Sequence, residues 1–490
     1  MASIPQPAKK SYFFDKGYAD MGNTIKGAWS RNGESIKKYK DNLNGLGDMV
    51  FGLKVFLIIV NILAMIAVVL CGSAITAVIT VINVAVLIIF MAIIYIGFSV
   101  IWLVDRLYLT RKKIFTACHE CKEKSLIPTY ICPNCRAKHT NLTPGVYGIL
   151  HRTCNCGKKL PVTFFNGRKE LEAECPRCGN PLTDRESRPI CIPVVGGRSV
   201  GKTAFITAFS KEFIENIAPA KGIEIEIYND IKKDIYREIS QDYDSGSTRM
   251  TDRPLDINQA SSVSFSFFAK HSSFSPERLI HVYDIAGEVF TDNNENEVQK
   301  QYEYCQGIVL IIDPFAIPSI RFKYEELLEP EDIAGIGKAD INEIINAFLN
   351  KLREVTGLND NKMADVPLAV VINKIDSAGL EQDIGELAVN KLMKAEADKF
   401  TDFYDTQDYL CRKFLKENDM ESFLNNISLQ FKNNRFFACS AIGHTRDKGK
   451  YEPKGVLPPM QWLFGIADSK MGKLWNDIAF TKKPNKYEGS

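Results

Sequence analysis

Between Val55 and Val104 the sequence lacks a charged side chain altogether. A helix on the surface of a soluble core keeps a polar face, and this run has none, so a buried soluble hairpin is set aside in favour of a membrane segment. A signal-peptide pattern is also missing, because the first apolar run starts near residue 50. Internal repeats and low-complexity tracts are absent by inspection, which leaves no sign of a repeat architecture. What is present is a chain of 490 residues, long enough for two to four domains. Its net charge of +2 is an average. Residues 1–54 and 105–188 carry an excess of Lys and Arg, and the C-terminal part an excess of Asp and Glu.

At 1.5 Å per residue the uncharged run of about 50 residues makes a helix of about 75 Å, against a hydrocarbon core of about 30 Å. The expectation is therefore two transmembrane helices folded into a hairpin. Its turn is expected between Gly72 and Asn83, in Gly72-Ser73-Ala74 or Thr80-Val81-Ile82-Asn83. Asn61 and Asn83 are candidate interhelical hydrogen-bond partners. Lys37, Lys38, Lys40 and Lys54 precede the run, and Arg106, Arg111, Lys112 and Lys113 follow it. By the positive-inside rule both ends face the cytoplasm, giving a multi-pass protein of the inner (cytoplasmic) membrane. The segment Ser11 to Lys40, mixing aromatics with lysines, is expected on the membrane surface.

Of 13 cysteines, 8 fall between Cys118 and Cys178. In a secreted mini-domain such density would read as disulfides; in a chain of this length paired cysteines suit metal better. Cys118-x2-Cys121 with Cys132-x2-Cys135, then Cys154-x-Cys156 with Cys175-x2-Cys178, read as two tandem zinc ribbons with four thiolate ligands each. Pro133, Pro176, Gly157 and Gly179 are the turn formers such knuckles need. A structural role is the first reading. Nucleic-acid binding through Lys158, Lys159, Arg168 and Lys169 is the less favoured one, since anionic headgroups already explain a basic segment beside a membrane. His119, His139 and His151 are read as non-ligands.

An apolar strand, Ile190 to Val195, runs into Gly196-Gly197-Arg198-Ser199-Val200-Gly201-Lys202-Thr203, followed by a helical stretch from Ala204 to Phe213. This is the GxxxxGK[ST] phosphate loop in its strand–helix context. Its backbone N–H groups turn onto phosphates, Lys202 neutralises them and the Thr203 hydroxyl coordinates Mg2+. A second strand, Leu279 to Tyr283, ends in Asp284-Ile285-Ala286-Gly287-Glu288. Asp284 is placed to hold Mg2+ through water, and the Gly287 N–H to sense the γ-phosphate. A third, Pro367 to Ile372, ends in Asn373-Lys374-Ile375-Asp376, the NKxD pattern whose carboxylate pairs with guanine. A fourth, Arg435 to Cys439, ends in Ser440-Ala441-Ile442, whose backbone touches the guanine exocyclic oxygen. Four motifs in order, each at the C-terminal end of a strand, predict a doubly wound, mostly parallel α/β domain that binds GTP.

Three departures bear on hydrolysis. Glu288 stands where many GTPases carry the glutamine that orients water. The switch threonine has no clear signature, with Thr248 and Thr251 as candidates and Thr251 preferred. No arginine finger is assigned; Arg198 either reaches a γ-phosphate or is a solvated residue. Binding is therefore expected more firmly than catalysis by Lys202, Thr203, Thr251, Asp284, Gly287 and Glu288.

The hairpin, the ribbons and the Asp-x-Ala-Gly-Glu switch together resemble the bacterial double-GTPase family, over roughly Cys118 to Asn476. The most specific parts are Asp284 to Glu288 and Arg152-Thr153-Cys154-Asn155-Cys156-Gly157. That resemblance implies a translation-factor-related P-loop GTPase, often associated with bacterial conflict or defence, working with a protein partner or by self-association. The alternatives are a dynamin-like membrane-remodelling GTPase, which Gly196 to Ser199 resembles, and a non-hydrolysing GTP-binding scaffold whose ribbons bind nucleic acid. The former needs long helical stalks, and only about fifty residues follow Ser440. The expected organisation is 1–54 a cytosolic or membrane-surface arm, 55–104 two spans, 105–187 the ribbons, and 188–490 the GTPase domain with insertions. The insertions at 221–275, 317–365 and 377–434 are expected to form partner surfaces. GTP, Mg2+ and two Zn2+ are the expected cofactors.

Overall fold

The computed structural model describes residues 6–47, 50–118, 121, 123–182, 186–227, 230–247, 264–284, 305–330, 333, 335–337, 341–356, 362–444 and 449–475. The chain divides into two units, Met1–Lys112 with Ile127–Pro176, and Lys113–Leu126 with Arg177–Ser490.

In the first unit, Phe51–Arg111 is one continuous helix of 61 residues, interrupted only by a π turn at Val68–Gly72. The expected two-helix hairpin within residues 55–104 is thus corrected, and with it the multi-pass topology. Nothing in the run breaks a helix: it holds no proline, and Gly72 (φ −61°, ψ −45°) and Ser73 (φ −66°, ψ −40°) are both helical. Asn61 and Asn83 do not bridge two helices. Each donates its side-chain amide to a carbonyl of its own helix, Leu57 and Ile79, at 2.8 Å. The element that does fold back is the N-terminal helix Lys16–Asn44. Asn32 Nδ2 donates to Thr76 Oγ1 at 2.8 Å, and the Phe14 ring sits edge-on to Tyr95 at 5.4 Å. Pairing 14 with 95 and 32 with 76 makes the two helices antiparallel.

The end of the long helix is anchored by Asp105. Its Oδ1 accepts from the Phe164 N–H at 2.8 Å and its Oδ2 from Arg168 Nη1 at 3.0 Å, and both side chains are buried. Arg168 also donates to the carbonyls of Leu142 and Val162. It therefore belongs to the core and not to a basic nucleic-acid patch. The extreme N-terminus is tied in as well: Ala8–Lys9 pairs antiparallel with Thr153 and Cys154, on the hairpin formed by His151–Cys154 and Lys159–Pro161.

The second unit is built on a seven-stranded mixed sheet. Its strands are β1 (Arg188–Val195), β2 (Glu224–Ile227), β3 (Ser264–His271), β4 (Phe274–Asp284), β5 (Ile308–Ile312), β6 (Leu368–Ile372) and β7 (Asn434–Ala438), in the spatial order 2-3-4-1-5-6-7. β4, β1, β5, β6 and β7 are mutually parallel, and β3 is antiparallel to both of its neighbours. Side chains alternate between two cores, as the two-residue period requires. Ile190, Ile192 and Val194 face one way, towards Phe205, Phe209, Phe464 and Trp475. Cys191 and Val195 face the other, towards Phe315, Phe348, Phe414 and Phe431. Helices on both faces leave the central strands apolar throughout, which is why they read as continuous hydrophobic runs. The insertions do more than decorate this sheet. The first supplies β2 and β3, and the later ones supply helices Ile341–Thr356, Phe403–Glu417 and Glu421–Gln430, whose buried residues form the second core.

Candidate functional site

β1 lies between β4 and β5, so the chain leaves it at a switch in strand order, where α/β sheets open a crevice at the carboxyl ends of their strands. Gly196 to Gly201 fill that position, and helix Lys202–Glu212 begins there. Two glycines are sterically required. A Cβ on Gly196 would lie 2.5 Å from the Ile311 carbonyl oxygen. One on Gly201, whose φ is +89°, would lie 2.4 Å from Asn373 Nδ2. Lys202 is buried, with Nζ donating to the carbonyls of Gly196 at 3.1 Å and Gly197 at 2.8 Å. Val200 and Ala204 are buried under the loop, whereas Arg198 and Ser199 are exposed.

Thr203 Oγ1 donates to Asp284 Oδ2 at 2.9 Å, joining the helix start to the end of β4. Asp284 is buried, which pushes its pKa up against the opposing pull of Lys202, 3.9 Å away, and of the Thr203 hydroxyl. Its Oδ1 has no hydrogen-bond partner among the described residues. A hydroxyl and a carboxylate with a buried oxygen that accepts no hydrogen bond among the described residues are hard oxygen donors of the kind Mg2+ takes. Thr248, Thr251, Gly287 and Glu288 lie outside the described residues.

Asn373 is buried after β6 and reaches two loops at once. Its Nδ2 donates to the Val200 carbonyl at 2.9 Å, and its Oδ1 accepts from the Ala441 N–H at 3.0 Å. Ser440 Oγ accepts from the Gly443 N–H at 2.7 Å, closing the loop that holds Ala441 and Ile442. Asp376 is half-buried, and its Oδ1 is likewise without a partner among the described residues. Lys374 binds Asp313 Oδ2 at 2.6 Å and the Gly335 carbonyl at 3.0 Å. Asp313 is a residue that the motif reading missed. It is wholly buried after β5 and its other oxygen caps the Phe315 N–H. An Asp-Pro step closing the apolar run Ile308–Ile312 was the available signal.

The cysteines form two groups of four, with the sulfurs of each group within 4.8 Å of one another. Their membership corrects the tandem arrangement. One group is Cys118, Cys121, Cys175 and Cys178, and the other is Cys132, Cys135, Cys154 and Cys156. The inner group is nested between the two knuckles of the outer one. The reason is strand order: Thr129–Ile131 pairs with Ala173–Glu174, which carries the end of the cysteine-rich segment back beside its beginning. Spacing defines a knuckle, but long-range pairing decides its mate. A tetrahedral ion with bonds of about 2.3 Å sets its sulfurs about 3.8 Å apart. The Sγ–Sγ separations of 3.5 Å (Cys118–Cys178), 3.7 Å (Cys132–Cys156) and 3.5 Å (Cys135–Cys154) fit such an ion. His139 and His151 belong to neither group, and His119 lies outside the described residues.

Fold and loops together define a P-loop nucleotide-binding domain. Residues 190–421 match the model of the family described as Double-GTPase 2. No curated protein matches the chain. Among solved structures, the GTP-bound GTPase-like domain of S. cerevisiae Ski7 is similar at 12% identity, covering 58% of this chain and 50% of that one, with a TM-score of 0.27. The GDP-bound Methanosarcina barkeri Roco2 RocCORdC is similar at 14% identity, covering 58% and 49%, with a TM-score of 0.20. This chain spans about half the length of each, and likeness at those scores carries nothing about the site.

Proposed function

We propose that the chain is a GTP-binding switch, held at a membrane by its long apolar helix, that hydrolyses GTP slowly. One observation carries the nucleotide reading: two carboxylate oxygens at one edge of the sheet, Asp284 Oδ1 and Asp376 Oδ1, are buried without a hydrogen-bond partner among the described residues. Unpaired buried acceptors are costly, and a guanine nucleotide with its cation answers both. Asp376 would accept from guanine N1–H and the exocyclic amine, a charge-assisted pair that adenine cannot form. Thr203 and Asp284 would hold Mg2+, which when bound neutralises phosphate charge. Lys202, which donates to carbonyls of its own loop, would turn to the phosphates that the loop amides of Gly197 to Thr203 would cradle.

Slow turnover is proposed because Glu288 replaces the usual glutamine and no arginine is placed in the crevice by motif. Acceleration would then come from a protein partner or self-association, as the double-GTPase resemblance implies for proteins of bacterial conflict systems. Two bound Zn2+ ions would staple the cysteine segment. The exposed apolar length of the Phe51–Arg111 helix supports membrane association.

Competition binding with GTP, ATP and xanthosine triphosphate tests the base reading. The wild type should prefer GTP over ATP by orders of magnitude, as sites built on a specific polar edge do. Asp376→Asn should lose GTP and gain xanthosine triphosphate. A preference for ATP, or a variant that keeps its GTP preference, would refute it.

A further inference from the structure

The first insertion places a helix, Asp230–Asp244, whose last turn meets the loop after β7. The helix ends in a Schellman motif: the Gly246 N–H bonds the Tyr243 carbonyl at 3.1 Å and the Ser247 N–H bonds that of Asp242 at 2.9 Å. Gly246 is left-handed at φ +78°, and a Cβ there would lie 2.3 Å from the Gly449 carbonyl oxygen. The helix end is thereby seated against Gly449 with no room for a side chain between. Tyr243 is buried at this junction, edge-on to Tyr451 with ring centroids 5.0 Å apart, and Tyr451 in turn lies against His444. Its hydroxyl donates to the Ala441 carbonyl.

We propose that Tyr243 is a positioning residue for base recognition, aligning the Ser440–Ile442 backbone with the guanine exocyclic oxygen. The inference rests on the guanine reading above and adds a residue from outside the four motifs. Two consecutive peptides are involved. The Ser440–Ala441 peptide is held by Asn373, which accepts from the Ala441 N–H. The Ala441–Ile442 peptide is held by Tyr243 through its carbonyl. In a trans peptide the C=O and the following N–H point in opposite directions, so gripping the Ala441 oxygen on the helix side aims the Ile442 N–H to the other side. Without the hydroxyl that peptide loses its hold on the carbonyl side, and the buried Ala441 carbonyl loses its donor.

The test is Tyr243→Phe in the full-length protein, with equilibrium binding of GDP, inosine diphosphate and tripolyphosphate. GDP and inosine diphosphate both carry the exocyclic oxygen, so both affinities should fall together by about tenfold, a loss of the size expected for one hydrogen bond in a buried site. Their ratio should hold, because Asp376 alone reads the amine. Tripolyphosphate, which has no base, should bind the variant and the wild type alike. A purely structural role would weaken all three equally, and that result, or unchanged GDP affinity, overturns the proposal. Hydrogen exchange on the wild type gives a second reading that needs no variant: GDP should slow exchange of amides in residues 241–247, tripolyphosphate should not, and equal effects overturn the proposal. If the wild type fails to prefer GDP over ADP, the guanine reading itself falls; if it does prefer GDP and Tyr243→Phe matches it, only the role of Tyr243 falls.

Discussion

The Asn373 side chain donates to the Val200 carbonyl at 2.9 Å and so ties the end of β6 to the phosphate loop after β1, two strands away. Its other end takes the Ala441 N–H, and one buried amide therefore sets the spacing of three loops. Asn373→Ala should lower GTP affinity by about thirtyfold or more, since it strands two buried backbone groups at about 1–3 kcal/mol each. Gly201→Ala should be at least as damaging, because its Cβ would collide with that same amide. Calorimetric titration of both variants checks this. Affinity retained by both would mean that the loops hold their spacing without Asn373.

Metal content can establish the nested pairing directly. The full chain should bind two zinc ions. Cys132→Ser with Cys156→Ser removes ligands of one group and should cost one ion. Cys118→Ser with Cys132→Ser strikes both groups and should cost two. A tandem arrangement predicts the reverse, so elemental analysis of the two double variants separates the two patterns. Loss of the inner ion should also free the N-terminal strand Ala8–Lys9, which pairs with Thr153 and Cys154, to proteolysis.

Arg168 and Asp105 form a fully buried ion pair at the end of the long helix. Breaking one side of such a pair leaves a charge without compensation and costs about 3–5 kcal/mol. Arg168→Met should therefore lower the midpoint of thermal unfolding sharply, whereas Arg168→Met with Asp105→Leu should recover much of the loss. Zinc content and nucleotide affinity report whether either variant has damage elsewhere. A negligible effect of the single substitution would show that the pair is not buried in solution.

His139 is buried with neither ring nitrogen hydrogen-bonded among the described residues, and burial, aided by the Arg152 charge, lowers its pKa from 6.5 to about 4. The fold accepts the neutral ring, so the unfolded chain takes up the proton first as pH falls. Stability from this source is complete above pH 6.5, declines between 6.5 and about 4, and changes no further below that. His139→Gln should remove this component from the pH profile and leave the part due to thiolate protonation. Urea unfolding of both proteins from pH 7.5 downward measures the difference, and parallel profiles would contradict it.

Much of the α/β domain was legible because its signals are local. A run such as Ile308–Ile312 or Leu368–Ile372 declares a buried parallel strand by composition, and the phosphate loop and NKxD pattern sit directly after such runs, so chain order places them at one sheet edge. Asp313 escaped because a single carboxylate after a strand has many uses, and only its contact with Lys374 selects one. The role of Tyr243 was invisible for the same reason: it depends on a meeting between residues 243 and 441.

The sequence by itself determined the strands, the phosphate loop, the guanine motif and the number of cysteine knuckles, since each depends on residues within one turn or one strand of each other. Tertiary structure alone decided which knuckles share a metal, because the antiparallel pairing of Thr129–Ile131 with Ala173–Glu174 is a long-range choice. It likewise decided the course of the apolar segment. Hydropathy measures how much apolar length there is, but whether it bends depends on breaking the hydrogen-bond ladder, and with helical torsions at Gly72 and no proline the ladder continues from Phe51 to Arg111. Its antiparallel partner became the polar helix Lys16–Asn44, selected by contacts such as Asn32 with Thr76 that no local pattern encodes.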